Sequence, residues 1–458
     1  MNAPRTSRSA RRGFVLLAVL VFILLISMVT VSLLFRSRAD ETAANASRGG
    51  EQAWAAAFSG IQQVLQVLAA DRTALGGGAG WSDNPAAFRE RLVVDDGANR
   101  WFFTVFSPGD SESLSEVRYG LTDEASRVNV NHPGGADLAK IPRMTAEWAA
   151  VIKSPGLTNL FSTPASLPED DTSAPPEPPP AELPDAADAS PGSPGSTDTT
   201  PRPAVSAPQR PEPRWPTLES LLRLPGFGLE LLFGEDANRN GRLDPNENDG
   251  DESFPPDNRD GRLDHGMAQY LTTSAYDPDL SRAGVRRVDL NDPAAPLPTA
   301  DLPPAFTNYV AALRASGTRL NHPVDVLDAT VKTKDANDQE VVVASGITAA
   351  EMPVILDLFT TGSETRREGL INLNTASAIV LATLPGMDLS LAESLVGARP
   401  GLRPEQRATI AWPLTEGLLN PEQFRRVAPF LTARSYQFRF NVLGYALPSG
   451  QFRLFEVE

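Results

Sequence analysis

The pattern of apolar and polar positions opens with an unbroken apolar run. Residues Phe14 to Phe35 carry no charge, and a basic segment precedes them. A helix of this length rises about 33 Å, enough to cross a hydrocarbon core of about 30 Å. A cleaved secretory signal is the alternative, but the run is too long for one and no small-residue cleavage site closes it. The sequence therefore predicts a retained transmembrane helix. Its N-terminus is expected in the cytoplasm, because arginines lie on that side: Arg5, Arg8, Arg11 and Arg12.

The helical pattern continues beyond this run. Apolar residues recur at spacings of three and four and form one face: Trp54, Ala57, Phe58, Ile61, Leu65 and Leu68. We therefore expect one long N-terminal helix over residues 14–70, with its membrane part at 14–35. Gly49 and Gly50 are expected to weaken it, because glycine in a helix costs roughly 1 kcal/mol relative to alanine.

Two distant segments carry a strand pattern. Residues 101–106 are aromatic and β-branched, with 117–121 as their expected partner. Near the C-terminus, residues 436–442 alternate apolar and polar side chains, and a second alternating strand begins at Phe452. Because helical sequence separates the two segments, the pattern predicts an α+β protein with one interrupted sheet.

These patterns divide the chain. Residues 71–132 and 433–458 are expected to form a β domain, interrupted by a mainly helical insertion at 133–432. Within the insertion, residues 162–214 are rich in proline and contain no aromatic residue. Such a segment buries too little apolar surface to offset its ordering, so we expect a disordered loop, with a proline-rich ligand for a partner domain as the alternative.

Three short segments share one form, in which apolar residues alternate with Asn or Asp: Val128–Asn131, Val288–Asn291 and Ile371–Asn374. In the last segment, Asn374 or Thr375 is expected to cap the helix that follows.

Two further segments, 218–228 and 379–399, resemble the helix-hairpin-helix motif, the second of them around Leu384-Pro385-Gly386-Met387. DNA-binding members of that motif hold a phosphate at the hairpin. Here carboxylates lie beside both hairpins: Glu230, Glu235, Asp236, Asp388 and Glu393. Because carboxylates repel phosphate, the sequence favours compact helix packing over DNA binding.

Composition narrows the possible chemistry. The chain has 41 basic and 57 acidic residues, a net charge of −16, and no cysteine. Disulfides, thiolate metal sites and a cysteine nucleophile are excluded. The three histidines are expected at the surface, and no known hydrolase, nucleotide-binding or zinc-protease motif occurs. We expect no catalytic residues.

Residues 236–247 match the calcium-loop pattern D-x-[DN]-x-[DN]-G-x5-E at every specified position. Ca²⁺ takes about six to eight oxygen ligands, and Gly241 would make the sharp turn of the loop. The expected ligands are five side chains and one backbone carbonyl, in the order Asp236, Asn238, Asn240, Arg242 (carbonyl), Asp244 and Glu247.

A second acidic stretch is an incomplete version of the same loop, because Pro256 and Met267 replace its first and last ligands. The candidate ligands of a second ion are Asp251, Asp257, Asn258, Asp260 and Asp264. A structural ion that joins the two acidic loops is favoured over a switch.

The junction Arg11-Arg12-Gly13-Phe14 resembles the prepilin peptidase site of type IV pilins and type II secretion pseudopilins. In that family a basic leader is cut after the glycine, between Gly13 and Phe14 here, and the new N-terminal phenylalanine is methylated. The family usually carries a glutamate where this chain has Ala18. Loss of that glutamate marks the K-type minor pseudopilin, a subunit with none ahead of it.

In their order along the chain, these features resemble the K-type minor pseudopilin of the type II secretion system. Hairpins with an Asn-Leu-Asn lead-in also occur in the helical domain of that family. The resemblance implies an inner-membrane protein with a periplasmic head that caps the pseudopilus tip during export of folded proteins across the outer membrane. It implies as partners the I- and J-type minor pseudopilins, the major pseudopilin, the inner-membrane assembly platform and the prepilin peptidase, and no nucleic acid.

Two other classes stay open. A membrane-anchored DNA-uptake protein would combine a pilin-type leader with the hairpins and would need a basic groove. An anchored calcium-dependent envelope enzyme would need a cleft with convergent polar groups outside the ion sites.

Overall fold

The computed structural model describes residues 12–73, 80–109, 117–154, 215–239, 241–298, 302–334 and 339–458. Most of the basic leader, the proline-rich stretch predicted to be disordered (162–214) and the expected ligand Asn240 lie outside the described residues.

The α-helices of the described part are α1 (Arg12–Thr73), α2 (Pro85–Phe88), α3 (Ala146–Lys153), α4 (Leu229–Phe233), α5 (Pro304–Ser316), α6 (Met352–Leu358), α7 (Ala378–Ala382), α8 (Leu389–Ala398), α9 (Trp412–Thr415) and α10 (Pro421–Val427).

The strands of the described part are β1 (Arg91–Asp95), β2 (Arg100–Pro108), β3 (Val117–Arg118), β4 (Thr122–Asp123), β5 (Val128–Asn129), β6 (Leu271–Thr272), β7 (Tyr276–Asp277), β8 (Val288–Asp289), β9 (Thr330–Lys334), β10 (Glu340–Ala344), β11 (Phe359–Thr360), β12 (Arg367–Glu368), β13 (Ile371–Asn372), β14 (Leu431–Thr432), β15 (Phe438–Leu447) and β16 (Phe452–Val457).

Helix α1 differs in environment along its length. Its large apolar side chains from Leu17 to Phe35 are exposed, and the helix is long and apolar enough to cross a membrane. Farther along, its buried face packs on β2, β15 and β16. The helix runs unbroken through Gly49 and Gly50. A Cβ at Gly49 would meet the side chain of Gln451, just ahead of β16, and a Cβ at Gly50 would meet that of Arg453 in β16. The glycines there make room for the sheet.

The main sheet is antiparallel in the order β1-β2-β15-β16, with β3 beside β2 and β4 beside β15. Strands distant in sequence are thus neighbours: Phe103 pairs with Gly444, and Val105 with Val442. Every second side chain faces α1, which gives a small core that includes Val64, Phe103 and Val442. The expectation of an α+β protein with a long apolar N-terminal helix is confirmed.

The described residues between β4 and β15 form helices and short strands around a second, larger core. Its fully buried side chains include Phe306, Phe359, Trp412 and Phe424. Strand β5, ahead of the expected boundary at residue 132, pairs with β6 and contributes Val128 to this larger core. The helical part is therefore tied to the chain that leads into it by backbone hydrogen bonds.

Candidate functional site

The three Asn-containing segments open three copies of one structural unit. Each first strand pairs in parallel with a short strand that follows the helices of its unit: β5 with β6, β8 with β11, and β13 with β14. Each closing strand reads apolar residue, then threonine. We call these unit 1 (residues 128–273), unit 2 (288–361) and unit 3 (371–433). The sequence showed the opening segments but not their closing partners.

One asparagine closes each unit with the same set of hydrogen bonds. Asn131, Asn291 and Asn374 each donate from Nδ2 to two carbonyls, one after the closing strand and one in the helical part. These pairs are Thr273 and Trp215 (3.0 and 2.9 Å), Thr361 and Leu320 (2.9 and 2.9 Å), and Ala433 and Arg407 (3.0 and 2.9 Å). Oδ1 accepts from a backbone amide in the first two units, Trp215 N for Asn131 and Leu320 N for Asn291, each at 2.9 Å. In the third unit, Asn374 Oδ1 accepts from the side chain of Trp412 (Nε1) at 3.2 Å. Each of these amides is half-buried, and because its donors and its acceptor are all engaged, it fixes its surroundings in one arrangement.

The expected cap of the helix after Asn374 is wrong. Ser377 caps α7, accepting from Val380 N at 3.3 Å. Asn374 is engaged in closing unit 3, and Thr375 donates to Asp123. The tertiary contacts of both residues override their local capping preference.

Asp123, which the sequence did not single out, joins the sheet to unit 3. Its Oδ2 accepts from Asn372 Nδ2 at 2.8 Å and from Thr375 Oγ1 at 2.6 Å, and Oδ1 accepts from Ala125 N at 2.9 Å. Burial raises the pKa of Asp123 to about 6, because desolvation of the carboxylate outweighs the hydrogen bonds, which lower the pKa. Local pattern carries no signal for this role, because Asn372 and Thr375 are distant in sequence.

The neighbouring Glu124 ties the sheet to unit 1. This buried carboxylate accepts from Thr272 Oγ1 and pairs with Arg127 at 3.3 Å and with Arg439 at 3.0 Å. Successive acidic residues therefore bind the first strand of unit 3 and the last strand of unit 1.

The first acidic loop is closed by its own carboxylates. Asp236 Oδ2 accepts from Gly241 N at 2.9 Å, and Gly241 has a φ of 69°, as the turn position requires. Glu247 is buried, and its two carboxylate oxygens accept from Ala237 N and Asp244 N, each at 3.0 Å. The first and last expected ligands are thus brought to the inside of one loop.

The two acidic loops are joined to each other. Glu235 N donates to Asp264 O at 2.8 Å, and Gly261 N donates to Asn248 Oδ1 at 3.1 Å. Asp257 accepts from Asp249 N and Gly250 N, each at 2.8 Å. Although desolvation raises the pKa of Asp257, the backbone amides that donate to its carboxylate outweigh that effect and lower it.

The remaining expected ligands are placed differently. Asn238 Nδ2 donates to Asp244 Oδ2 at 2.6 Å. In the second loop Asn258 and Asp260 are exposed and bond to each other, Asp251 is exposed, and Asp264 pairs with Arg143 at 2.9 Å. Within the described residues, which omit Asn240, no group of three or more His, Asp or Glu side chains is arranged to hold a metal ion. Both calcium sites therefore stay predictions.

The histidines were expected at the surface, but His322 is buried. Its Nδ1 accepts a hydrogen bond from Val324 N at 3.2 Å. Burial lowers the pKa of His322 well below its usual value, so the neutral ring is favoured. The surface assignment was wrong because the Asn-His-Pro segment starts a 3-10 helix that packs in unit 2.

The positions of the processing motif lie at the start of α1. Gly13 and Phe14 are helical, and Ala18 lies within the exposed apolar half of the helix. Of the described residues, only this helix is long and apolar enough to span a membrane.

Fold and sites together define an α+β protein with one N-terminal helix able to cross a membrane and a head that carries a repeated helical part. Residues 371–432 match the family described as "Type II secretion system (T2SS), protein K", so this part of the chain is similar to that family. The resemblance drawn from the sequence is thereby confirmed, and the matched residues run from the first residue of β13 to the last residue of β14. Comparisons with curated proteins and with solved structures gave no match.

Proposed function

We propose that the chain is a minor pseudopilin that caps the tip of a type II secretion pseudopilus. The family match to residues 371–432 carries this proposal, because unit 3 thereby resembles a component of that secretion system. The apolar half of α1 supports it, since a pilin-like subunit needs a helix that is held in the membrane before assembly. The orientation follows the arginines ahead of the helix, which put the head in the periplasm.

The tip position is argued from Ala18. An ionisable side chain within a membrane helix is costly unless it is paired, and in the family a glutamate at this position pairs with the amine of the subunit ahead. Alanine makes no such pair, so this subunit needs none ahead of it. The head with its three units is also bulky enough to obstruct addition above it. The I- and J-type minor pseudopilins are the proposed neighbours.

We further propose a structural calcium ion in the loop 236–247. A buried carboxylate is stabilised by a cation, and the donors to buried Glu247 are the neutral backbone amides of Ala237 and Asp244. Asp236 and Gly241 adopt the contact that a calcium loop requires. Calcium would be held by the side chains of Asp236, Asp244 and Glu247, completed by Asn238, Asn240 and the Arg242 carbonyl. It would offset the repulsion among the carboxylates of the two loops. A second ion in the stretch 249–264 is a weaker proposal, because backbone amides already occupy Asp257.

The processing step is tested by the mass of the mature N-terminus. The full chain is purified from membranes with and without a co-expressed prepilin peptidase. We expect a peptide that begins with methylated Phe14 only when the peptidase is present. An intact leader under both conditions would refute the pseudopilin proposal, and an anchored calcium-binding envelope protein would remain.

The tip position is tested on assembled pseudopili. An epitope attached after Glu458 should be labelled at one end of each pseudopilus. The Ala18→Glu variant, which restores the usual family residue, should weaken this restriction to one end, whereas the uncharged Ala18→Leu control should not. If the unchanged chain is labelled along the whole length of the pseudopilus, it does not act as a cap.

A further inference from the structure

The main sheet has one protected edge and one open edge. Strand β16 pairs with β15 on one side, and no other described strand pairs with its free side. Proteins usually protect such an edge, because its unpaired backbone groups can pair with another strand. At the opposite edge the register of β1 shifts between Leu92 and Val94, which breaks the regular row. Strand β16 keeps one register with β15 over its whole length and contains no proline, so its free side is open to a further strand.

The turn before β16 fixes which backbone groups face this free side. Ala446 N donates to Gln451 O at 2.9 Å. Along an antiparallel pair, residues that exchange hydrogen bonds alternate with residues that do not. Counted from Gln451, the second set is Phe452, Leu454 and Glu456. Their N–H and C=O groups therefore point away from β15, towards the free side.

Apolar side chains continue up to this edge on the face of the sheet away from α1. Phe452 is 64% exposed and Leu454 is 44% exposed. Phe452 ends an apolar row across the sheet, because Leu92 pairs with Phe102, Phe102 with Tyr445, and Tyr445 with Phe452. An added strand with apolar side chains on this face would lengthen the row and cover its exposed end.

The other face of β16 carries a cation at the middle of the free side. Arg453 is exposed and lies on the side of α1, since a Cβ at Gly50 would meet its guanidinium. Side chains alternate along a strand, so Arg453 stands between Phe452 and Leu454 on the opposite face. An added strand would match this edge with an acidic residue between two apolar ones.

A second copy of the chain does not fit the edge. A Cβ at Gly49 would meet Gln451, and one at Gly60 would meet Val442, the residue paired with Phe455. Helix α1 therefore runs in the same direction as β16. Two copies paired antiparallel through β16 would point their α1 helices in opposite directions, which two chains held in one membrane from the same side cannot do. This step rests on the membrane anchoring proposed above.

We propose that β16 accepts an extended segment of a different polypeptide, which adds an antiparallel strand to the main sheet. The segment has an acidic residue opposite Arg453, flanked by apolar residues opposite Phe452 and Leu454. Backbone hydrogen bonds to the edge hold it, and the alternating side chains select it.

The test uses the full chain in detergent micelles and the fluorescein-labelled peptide Gly-Thr-Val-Glu-Val-Thr-Gly, with binding followed by anisotropy. In the proposed register the two valines lie opposite Leu454 and Phe452, and the glutamate lies opposite Arg453. We expect saturable binding, and hydrogen exchange of the β16 amides should slow in the complex. N-methylation of both valines should weaken binding at least about tenfold, because their N–H groups face β16. N-methylation of the glutamate, whose N–H faces away, should not.

Two variants test the edge from the side of the protein. Leu454→Pro removes an outward N–H and keeps the pairing with β15, so it should weaken binding more than Leu454→Ala does. Arg453→Glu should favour the peptide with lysine in place of glutamate. Arg91→Glu is the matched control, because Arg91 is an exposed arginine on the protected edge, and it should change neither peptide's binding.

Three results would overturn the proposal. One is the absence of saturable binding up to about 1 mM peptide. Another is an equal loss of binding from N-methylation at the valines and at the glutamate. The third is a dimer in sedimentation that the peptide dissociates, which would assign the edge to a second copy. None of these affects the secretion proposal, which is tested by the mature N-terminus.

Discussion

At the scale of single residues, Asp123 shows how one buried group can join two parts of a molecule. It lies at the end of β4, and its hydrogen bonds reach across to Asn372 and Thr375 of unit 3. Burial raises its pKa to about 6. As the pH rises, the unfolded chain therefore loses the proton of this carboxyl group at a lower pH than the folded protein does.

This shift makes stability depend on pH with a definite sign. Between pH about 4 and about 6 the folded state binds more protons at Asp123 than the unfolded state, so the free energy of unfolding falls as pH rises through this window. We expect Asp123→Asn to abolish this component, which amounts to roughly 3 kcal/mol. Urea unfolding, followed by tryptophan fluorescence at several pH values, measures it.

The control is Asp388→Asn, which changes an exposed carboxyl group of unit 3. This variant measures the effect of removing an exposed carboxylate under the same conditions. If the difference between Asp123→Asn and the unchanged chain does not vary with pH, Asp123 is not the group that titrates.

At the scale of elements, the contact between α1 and the sheet depends on the absence of a side chain. A Cβ at Gly444 of β15 would clash with the carbonyl of Ala53 and lie 2.6 Å from Ala57 N. Ala53 and Ala57 are fully buried. Small residues on both elements therefore let the helix backbone lie directly on the strand.

Gly444→Ala should push α1 and β15 apart and lower the free energy of unfolding by about 2 kcal/mol or more. Gly397→Ala is the matched control, because a Cβ at that helical glycine meets open space. Alanine there should be neutral or stabilise by up to about 1 kcal/mol. Equal stability of the two variants in urea unfolding would contradict the close packing of α1 on β15.

The asparagine that closes each unit gives a second prediction at this scale. In Asn374→Asp the carboxylate cannot donate, so the carbonyls of Arg407 and Ala433 lose their partner and face a negative charge. We expect a loss of roughly 2–4 kcal/mol, more than in Asn374→Ala. The corresponding changes at Asn131 and Asn291 should follow the same order. If thermal unfolding shows that Asn374→Asp destabilises the protein less than Asn374→Ala does, the assignment of the amide as a donor is wrong.

At the scale of the whole molecule, one chain combines an exposed apolar half-helix, a sheet built from distant segments, and three units. Two of these, units 1 and 3, are joined to the sheet by buried carboxylates. The two acidic loops lie within unit 1 and are joined to each other, because Glu235 N bonds to Asp264 O. Calcium bound there, as proposed, would stabilise unit 1.

Calcium should raise the unfolding midpoint of the unchanged chain relative to a chelator. Ligand at a hundred times its dissociation constant adds about 2.7 kcal/mol to the free energy of unfolding. Glu247→Gln should abolish the increase, while Glu405→Gln, an exposed carboxyl in unit 3, should retain it. Identical midpoints with calcium and chelator would exclude the structural ion and leave the secretion proposal standing.

Local pattern determined those features that depend on neighbouring residues. The apolar run of α1, the alternation of β15 and the calcium-loop spacing are all periodicities of a few residues, which reflect how helices, strands and turns expose their side chains. The resemblance to the type II secretion protein K family was also drawn from short motifs, and the match to residues 371–432 confirms that resemblance.

Tertiary structure alone decided which distant residues meet. The closing partners of Asn131, Asn291 and Asn374 and the burial of Asp123 and His322 depend on how the chain packs. A capping preference or a charge pattern is worth about 1 kcal/mol locally, and burial in a packed core exceeds it. Ser377 rather than Asn374 therefore caps α7.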